Sequence, residues 1–367
     1  MKRVLLGMSG GVDSSAAALL LRRQGYEVTG ATLWLWSDPG SETAAGQPDC
    51  GPDCEPESVL EARRVAGHLG IDHLVFDFRD AFRRLVVAEF IREYSRGRTP
   101  NPCVTCNREI KFKLLLERAL AMGFDSIATG HYARIEKDER DGLYHLRRGI
   151  DPRKDQAYVL YRLTQEQLAH TLLPLGTWTK DKVRDLAAAN GLVNAAKPDS
   201  QEICFIDKRG YQAFLERESA GGTPGNFLGR DGRIIGRHRG ISHYTVGQRK
   251  GLGIAGLQPV FVTSIEPADN AIRLGNETDL YSSGLLAEQV HWISGDPLAC
   301  PRPVEAKIRY QSPLAAAIVE PAGPAPDCVT VSFAKPQRAV APGQSVVFYN
   351  GGEVLGGGRI QSSWKGE

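Results

Sequence analysis

The stretch that decides the fold is Gly7-Met8-Ser9-Gly10-Gly11-Val12-Asp13-Ser14-Ser15. It follows an apolar run, Arg3-Val-Leu-Leu-Gly7, and opens a second run from Asp13 to Gln24 that stops at Gly25. A buried strand, a glycine-rich turn and a helix ending at glycine make the first half of a βαβ unit. The turn is suited to an anion. Glycines let backbone N–H groups approach phosphate oxygens, Ser9, Ser14 and Ser15 add hydroxyls, and the helix N-terminus adds the positive end of its dipole. Asp13 is the odd member, because its charge repels phosphate. It reads as a helix N-cap or as a magnesium ligand bridging to phosphate. A Gly-Ser turn that merely caps a helix is the blander reading. No Gly-Lys-Ser/Thr follows, so the loop is not a Walker A motif.

Downstream the alternation continues. Val28 to Trp36, His73 to Phe78 and Asp125 to Thr129 read as strands, and Glu57 to Leu69, Ala81 to Ser95 and Asn107 to Met122 as helices. Strands alternating with helices predict a parallel sheet covered on both faces. Ser37 to Pro56, rich in Gly and Pro, reads as a loop and carries Cys50 and Cys54. After about residue 205 the pattern changes. Val260 to Ile265 and Ala271 to Leu274 flank Pro-Ala-Asp-Asn, a hairpin signal. Six strand-like runs follow: Gln289 to Ile293, Val304 to Tyr310, Ala315 to Val319, Val329 to Phe333, Ser345 to Tyr349 and Glu353 to Ile360. That spacing suggests a small barrel or sandwich. The expected organisation is an α/β protein: a doubly wound parallel-sheet domain over 1–205, a small central β-rich domain over 206–282 and a C-terminal β-barrel over 283–367.

A chain of 367 residues exceeds most single cores. Its net charge of +2 neither demands nor excludes a nucleic-acid partner. No apolar run approaches the roughly 20 residues that span a bilayer, so no membrane partner is expected. The first strand begins almost at the initiator Met and leaves no room for a signal peptide, so the expected location is the cytoplasm. Seven cysteines, an odd count, argue for thiol chemistry or metal binding over a disulfide framework. Cys300 and Cys328, in the strand-rich half, read as packing or incidental residues. Gly251-Leu-Gly-Ile-Ala-Gly256 matches G-x-G-x-x-G, but no strand precedes it, and Pro259 and a strand follow, so the dinucleotide context fails.

A strand, Ser-Gly-Gly-x-Asp-Ser and a helix at the extreme N-terminus resemble the PP-loop of the ATP pyrophosphatases. These enzymes split ATP between its α and β phosphates, adenylate a carbonyl oxygen and let a nucleophile displace AMP. Further motifs narrow the resemblance: Asn101-Pro-Cys-Val-Thr-Cys-Asn-Arg-Glu-Ile-Lys-Phe112, Ala128-Thr-Gly-His-Tyr132, Lys154-Asp-Gln156, Asp199-Ser-Gln-Glu-Ile-Cys-Phe205, Thr245-Val-Gly-Gln-Arg-Lys-Gly-Leu252 and Pro342-Gly-Gln344. Together, in order over nearly the whole chain, they look like the tRNA-specific 2-thiouridylases, sulfurtransferases that put sulfur at C2 of the wobble uridine. The resemblance implies ATP, Mg²⁺ and tRNA, with sulfur from a cysteine-desulfurase pathway or from sulfide.

Carried over residue by residue, Gly7 to Ser14 match the ATP loop, and Leu33 and Gly130 further ATP contacts. Cys106 matches the nucleophile and Cys204 the persulfide carrier. Asn101, Pro102 and Cys103 match the segment that meets the target base. His131, Lys154, Asp155, Gln156, Arg309, Tyr310 and Gln344 match positions that meet tRNA. A helix start at Asn107, with Arg108 and Lys111, is expected to lower the thiol pKa of Cys106. Many members carry Asp where this chain has Cys103. Three readings follow: Cys103 stands in for Asp and a persulfide works through Cys204 and Cys106; Cys103, Cys106 and Cys204 hold a [4Fe–4S] cluster by three thiolates; or Cys103 and Cys106 hold structural zinc, which needs four ligands and is complete only if Cys50 and Cys54 swing in. Outside thiolation, a PP-loop amide or amidine synthetase and a non-catalytic RNA-binding protein with an Fe–S or zinc site are the rival readings. Basic segments such as Arg147-Arg148, Arg237-His-Arg239 and Arg249-Lys250, dispersed along the chain, suit a large polyanion held through its phosphates.

Overall fold

The computed structural model describes residues 1–37, 55–192, 194–195, 197, 203–254, 259–323 and 327–366. The expected loop with Cys50 and Cys54, and part of the 199–205 and 251–256 motifs, lie outside them. The chain forms two compact units. The first comprises Met1–Val86, Cys103–Phe205 and Gly352–Val354; the second comprises Val87–Pro102, Ile206–Gly351 and Leu355–Glu367.

The first unit begins β1 (Arg3–Gly7), α1 (Val12–Arg23), β2 (Glu27–Trp34), α2 (Glu57–Leu69), β3 (His73–Asp77) and α3 (Arg79–Phe82). The next helix, α4 (Ala88–Ser95), belongs to the second unit. The first unit resumes with α5 (Pro102–Cys106), α6 (Leu115–Ala121), β4 (Ser126–Ala128), β5 (Ala133–Lys137), β6 (Tyr144–Arg148), α7 (Gln165–Ala169), β7 (Thr171–Leu172) and α8 (Lys180–Ala189). Five strands form one sheet in the order β3-β2-β1-β4-β7, every pair parallel. Val4, Leu5 and Leu6 of the central strand are fully buried, as expected of a strand with helices on both faces. On one side Ala16, Ala17 and Leu20 of α1 share a core with Val183, Leu186 and Ala187 of α8.

Two details depart from the sequence reading. The helix expected at Asn107 starts at Pro102, so both cysteines lie inside it. Proline suits a first helical turn, where its missing N–H costs nothing and its restricted φ already fits. Its middle, Asn107–Leu114, is wound as a π-helix. In addition, β5 and β6 form an antiparallel hairpin, Ile135 opposite Leu146, that sequence alone did not suggest. The flanking Arg, Glu and Lys residues mask its alternation.

In the second unit, α9 (Tyr211–Arg217) precedes a sheet of β8 (Gly225–Leu228), β9 (Ile234–His238), β10 (Phe261–Glu266) and β11 (Ala271–Gly275), in the order β10-β11-β8-β9. The hairpin expected around Pro267 is β10–β11. The six later runs become β12 (Tyr281–Trp292), β13 (Arg302–Lys307), β14 (Ala315–Pro321), β15 (Val329–Arg338), β16 (Ser345–Asn350) and β17 (Glu353–Trp364). They follow one another as β12-β15-β14-β13-β16-β17, and β12 also pairs with β17, which closes a barrel and removes its open edges. Leu285, Val304, Val319, Val331, Val346, Phe348 and Ile360 fill it.

Helix α4 is held by charge as well as by rings. Phe90 and Tyr94 pack on Phe214 and Tyr211 of α9. Glu93, 1% exposed, lies 3.1 Å from Arg98 and 3.4 Å from Arg359, and both arginines also reach Glu288. A buried carboxylate is tolerable only with such partners. Phe348 stacks on Trp292, ring centroids 5.4 Å apart, with no exposed surface. Phe348→Ala is expected to lower barrel stability by about 3–5 kcal/mol. Urea unfolding followed by tryptophan fluorescence checks this, and a loss below about 1 kcal/mol would mean a loosely packed interior.

Candidate functional site

The glycine loop ends β1 and starts α1. Gly10 has φ +72°, and a Cβ there would meet Glu61 Cβ at 2.8 Å, so this position requires glycine twice over. Gly11 is the helix N-cap and no side chain caps the helix. Asp13 is therefore not the N-cap, one of the two readings its sequence allowed; it lies two positions past it, inside the helix. Ser14 and Ser15 donate from Oγ to Gly11 O at 3.1 and 2.9 Å, and Ser9 N–H donates to Ser14 Oγ at 3.3 Å. Ser9 is exposed at the mouth, while the side chains of Met8 and Val12 are core residues, so those two can offer a ligand only backbone. Leu33 is half-buried on β2 opposite Phe76.

Residues from the far end of the unit brace this loop. Asn194 Nδ2 donates to Gly10 O at 2.8 Å and to Ser15 Oγ at 2.9 Å. Gly130 faces the first turn of α1, where a Cβ would lie 3.0 Å from Asp13 C and Ser14 N. The Asp13 carboxylate accepts from Tyr132 Oη–H at 2.6 Å and from Lys180 Nζ at 2.8 and 2.9 Å, one contact to each oxygen. Gln156 holds Tyr132 in place: its Oε1 accepts from Tyr132 N–H and its own N–H donates to Tyr132 O. Asn194 and Lys180 gave no signal in sequence, and Tyr132 stood only as the end of the Ala128–Tyr132 motif, with no role of its own.

The cysteine cluster is built from α5 and the segment at Cys204. Phe205 anchors that segment between Trp36 and Phe82, ring centroids 6.0 and 5.6 Å away. Cys106 is buried, whereas Cys103 and Cys204 open to the surface. The three sit within electrostatic reach of one another and of Lys111. Burial pushes the Cys106 thiol up to about 12 and the Cys204 thiol to about 11, and raises Cys103 too; Lys111 opposes each shift but loses. Although Cys103 and Cys204 have open surface, they lie in a recess crowded enough for desolvation to prevail. The expected lowering of the Cys106 pKa is thus reversed. Cys106 is not at a helix start, and Arg108 is paired with Glu109.

Among the described residues, the three sulfurs do not fall within 4.8 Å of one another, a closeness that a single tetrahedral ion with Zn–S bonds of about 2.3 Å demands. Cys50 and Cys54, the further ligands the zinc reading needs beside Cys103 and Cys106, lie outside the described residues. The set that does converge is Asp138, Asp141 and His145, where Arg140 and Glu353 already pair with Asp138 and His145.

The remaining expected positions divide by unit. In the first, His131 is buried beside Phe112, and its Nδ1 shares a 2.8 Å hydrogen bond with Thr129 Oγ1. Burial, then Lys111, holds it well below the usual histidine range, hence neutral at physiological pH. Asp155 is buried and accepts from Arg148 Nε, Gly149 N–H and Ala157 N–H. Lys154 is half-buried just before it. In the second unit, Gln344 Nε2 donates to Thr99 O at 2.9 Å and Pro100 O at 3.2 Å, which fixes the chain just before Asn101 and Pro102. Arg309 and Tyr310 lie in the turn after β13, with Lys307 Nζ 5.8 Å from the Tyr310 ring centre.

Residues 2–208 match the family described as tRNA methyl transferase HUP domain, 212–276 its PRC-barrel domain, and 282–360 an aminomethyltransferase beta-barrel domain. The chain is 50% identical to the tRNA-specific 2-thiouridylase MnmA of Acetivibrio thermocellus, covering 98% of this chain and 99% of the relative. It is 49% identical to that of Carboxydothermus hydrogenoformans, over 98% of each. It is 47% identical to that of Clostridioides difficile, over 99% of each.

The raised thiols have a measurable signature. The folded protein keeps the Cys106 proton between pH 9 and about 12, where an unfolded chain sheds it. The stability of that neutral buried thiol is therefore lost as pH rises through the same window. In a protein with Cys106 as its sole cysteine, iodoacetamide alkylation is expected to keep accelerating beyond pH 10; a plateau near pH 8.5 would refute the burial argument.

Proposed function

The chain belongs to the tRNA-specific 2-thiouridylase family, and we infer that it replaces the C2 oxygen of the wobble uridine in tRNA anticodons with sulfur, driven by ATP. The observation that carries the chemistry is the gathering of Cys103, Cys106 and Cys204 around Lys111, within the unit that also holds the anion-binding loop. An amide synthetase has no use for such thiols, and a binding protein has no use for the loop. Full-length likeness to 2-thiouridylases favours neither rival.

ATP enters at the N-terminus of α1, its phosphates on the N–H groups of residues 10–14, since those of Met8, Ser9 and Ser15 already donate to Ala31 O, Ser14 Oγ and Gly11 O. The uridine C2 oxygen attacks Pα, a C2–O–Pα bond forms and pyrophosphate leaves. Sulfur then attacks C2, and AMP departs with the former carbonyl oxygen. In the persulfide route, Cys204 carries the outer sulfur, which bonds to C2. The Cys106 thiolate next attacks Cys204 Sγ, which breaks the S–S bond and leaves the sulfur on the base. A Cys106–Cys204 disulfide remains, and a thiol reductant resets it. Because burial keeps Cys106 protonated in the free protein, this step needs a base or the bound RNA to take its proton.

Cys103 favours a second reading. Cys103, Cys106 and Cys204 supply a donor set for a [4Fe–4S] group, whose unligated iron would be free to present sulfide. Magnesium is expected to arrive on the triphosphate. Asp13 does not fit as its ligand, since both of its oxygens already engage an ammonium.

The tRNA is held through phosphates by the dispersed arginines and lysines, with the target base drawn out of its stack toward Asn101, Pro102 and Cys103. His131, Lys154, Asp155, Gln156, Arg309, Tyr310 and Gln344 are proposed to support that grip, the buried ones by shaping the surface. A cytoplasmic location follows from the substrate, and no helix among the described residues is long and apolar enough to cross a membrane.

Cys106→Ala and Cys204→Ala are each expected to lower thiolation about a thousandfold while ATP binding holds. If ATP-dependent product formation survives both changes, thiolation is the wrong reaction. Anaerobic purification decides between the sulfur routes. The cluster reading expects iron and acid-labile sulfide that are lost in Cys103→Ala; iron-free protein that turns over with a persulfide donor overturns it.

A further inference from the structure

A carboxylate in the first turn of an anion-binding helix poses a problem that the nucleotide reading does not solve. The N-terminus of α1 offers unpaired N–H groups and about half a positive charge. Asp13, in its first turn, more than cancels that charge for an incoming triphosphate. Magnesium is the usual remedy, but the cation already on Asp13 is Lys180.

Lys180 is the first residue of α8 and is only 4% exposed. Its Nζ lies 2.8 and 2.9 Å from the two oxygens of Asp13. The pair is held from both sides. Lys180 N–H donates to Oδ2 of the buried Asp151 at 3.0 Å, and Tyr132 Oη–H donates to Asp13 Oδ1 at 2.6 Å. The fold does not need this pair to join the two helices. Alanine, valine and leucine side chains of α1 and α8 already share a core, and a buried ion pair is often replaceable by apolar groups without loss of stability.

We propose that Lys180 is a positioning residue for the nucleotide: its ammonium neutralises Asp13, so that the N-terminus of α1 keeps its attraction for the triphosphate. It acts through Asp13 and is not itself a ligand of the phosphates. The proposal rests on the assignment of ATP to this loop.

The test measures equilibrium binding of ATP with Mg²⁺ and steady-state thiolation of tRNA. Lys180→Met leaves Asp13 unopposed and is expected to weaken ATP binding at least about tenfold. The effect should appear in KM for ATP, with kcat at saturating ATP and KM for tRNA little changed. The double variant Asp13→Asn/Lys180→Met removes both charges and should recover most of the lost affinity. Asp13→Asn alone leaves the ammonium unopposed and should bind ATP at least as tightly as the wild type, with no added Mg²⁺ requirement. This variant also carries the test if Lys180→Met does not fold.

Wild-type affinity in Lys180→Met overturns the proposal. So does a double variant no better than Lys180→Met, or weakened binding in Asp13→Asn. A fall in kcat at unchanged KM for ATP would place Lys180 in the chemical step and also overturns it. Failure of the wild type to bind ATP would strike the nucleotide assignment itself and is read separately.

Discussion

The nucleotide end of this protein depends on neutralising one carboxylate. A helix N-terminus attracts anions only while nothing negative stands beside it, and Asp13 stands there. Tyr132 comes from beyond β4, and Lys180 opens α8. Gln156 orients Tyr132, and Asp151 holds the backbone of Lys180. Gly130 is glycine because its Cα faces the same turn of α1. A loop that looks local in sequence is held in shape by residues more than a hundred positions away.

The sulfur end has the opposite physics. Nothing neutralises a charge there; instead, burial prevents charge from forming. Lys111 pulls on all three thiols, yet desolvation prevails at each. A resting enzyme with protonated thiols is protected from adventitious oxidation and alkylation, since the thiolate is the reactive species. Reactivity then has to be conferred by what binds. An electropositive metal would displace the protons, and a sulfane sulfur would bring its own acidity. In the proposed reaction, loading rather than a permanently activated nucleophile would then gate the sulfur step.

Much of this architecture can be read locally, which is why it was legible. Strand β1, the glycine loop and α1 lie within one short stretch, and the barrel strands announce themselves by six apolar runs between turns. What escaped was settled by distant partners. Thr179-Lys180-Asp181 looks like the solvated start of any helix, and nothing near it reports a buried ammonium. Phe90 and Tyr94 give α4 an apolar face, but periodicity cannot say which core receives it. For Gln344 the resemblance implies a position that meets tRNA, and nothing in the sequence hints that its Nε2 also holds the carbonyls of Thr99 and Pro100. Cys106 was legible as a residue and not as a chemical state, because a pKa depends on the density of atoms around it.

The membership of Val87–Pro102 in the second unit bears on how the chain is made. During synthesis this segment emerges early, with Phe90, Tyr94 and Glu93 exposed, while Arg359 and Gln344 are still untranslated. The helix that begins at Pro102 can wind, but the chain entering it gains Phe214, Tyr211 and Thr245 only from the middle of the sequence and its last companions, Gln344 and Arg359, only near the end. Long-range closure of this kind slows folding and leaves an intermediate with an aromatic, carboxylate-bearing helix in search of its place. The nascent chain thus has a nearly complete nucleotide fold well before the approach to its cysteines is in order.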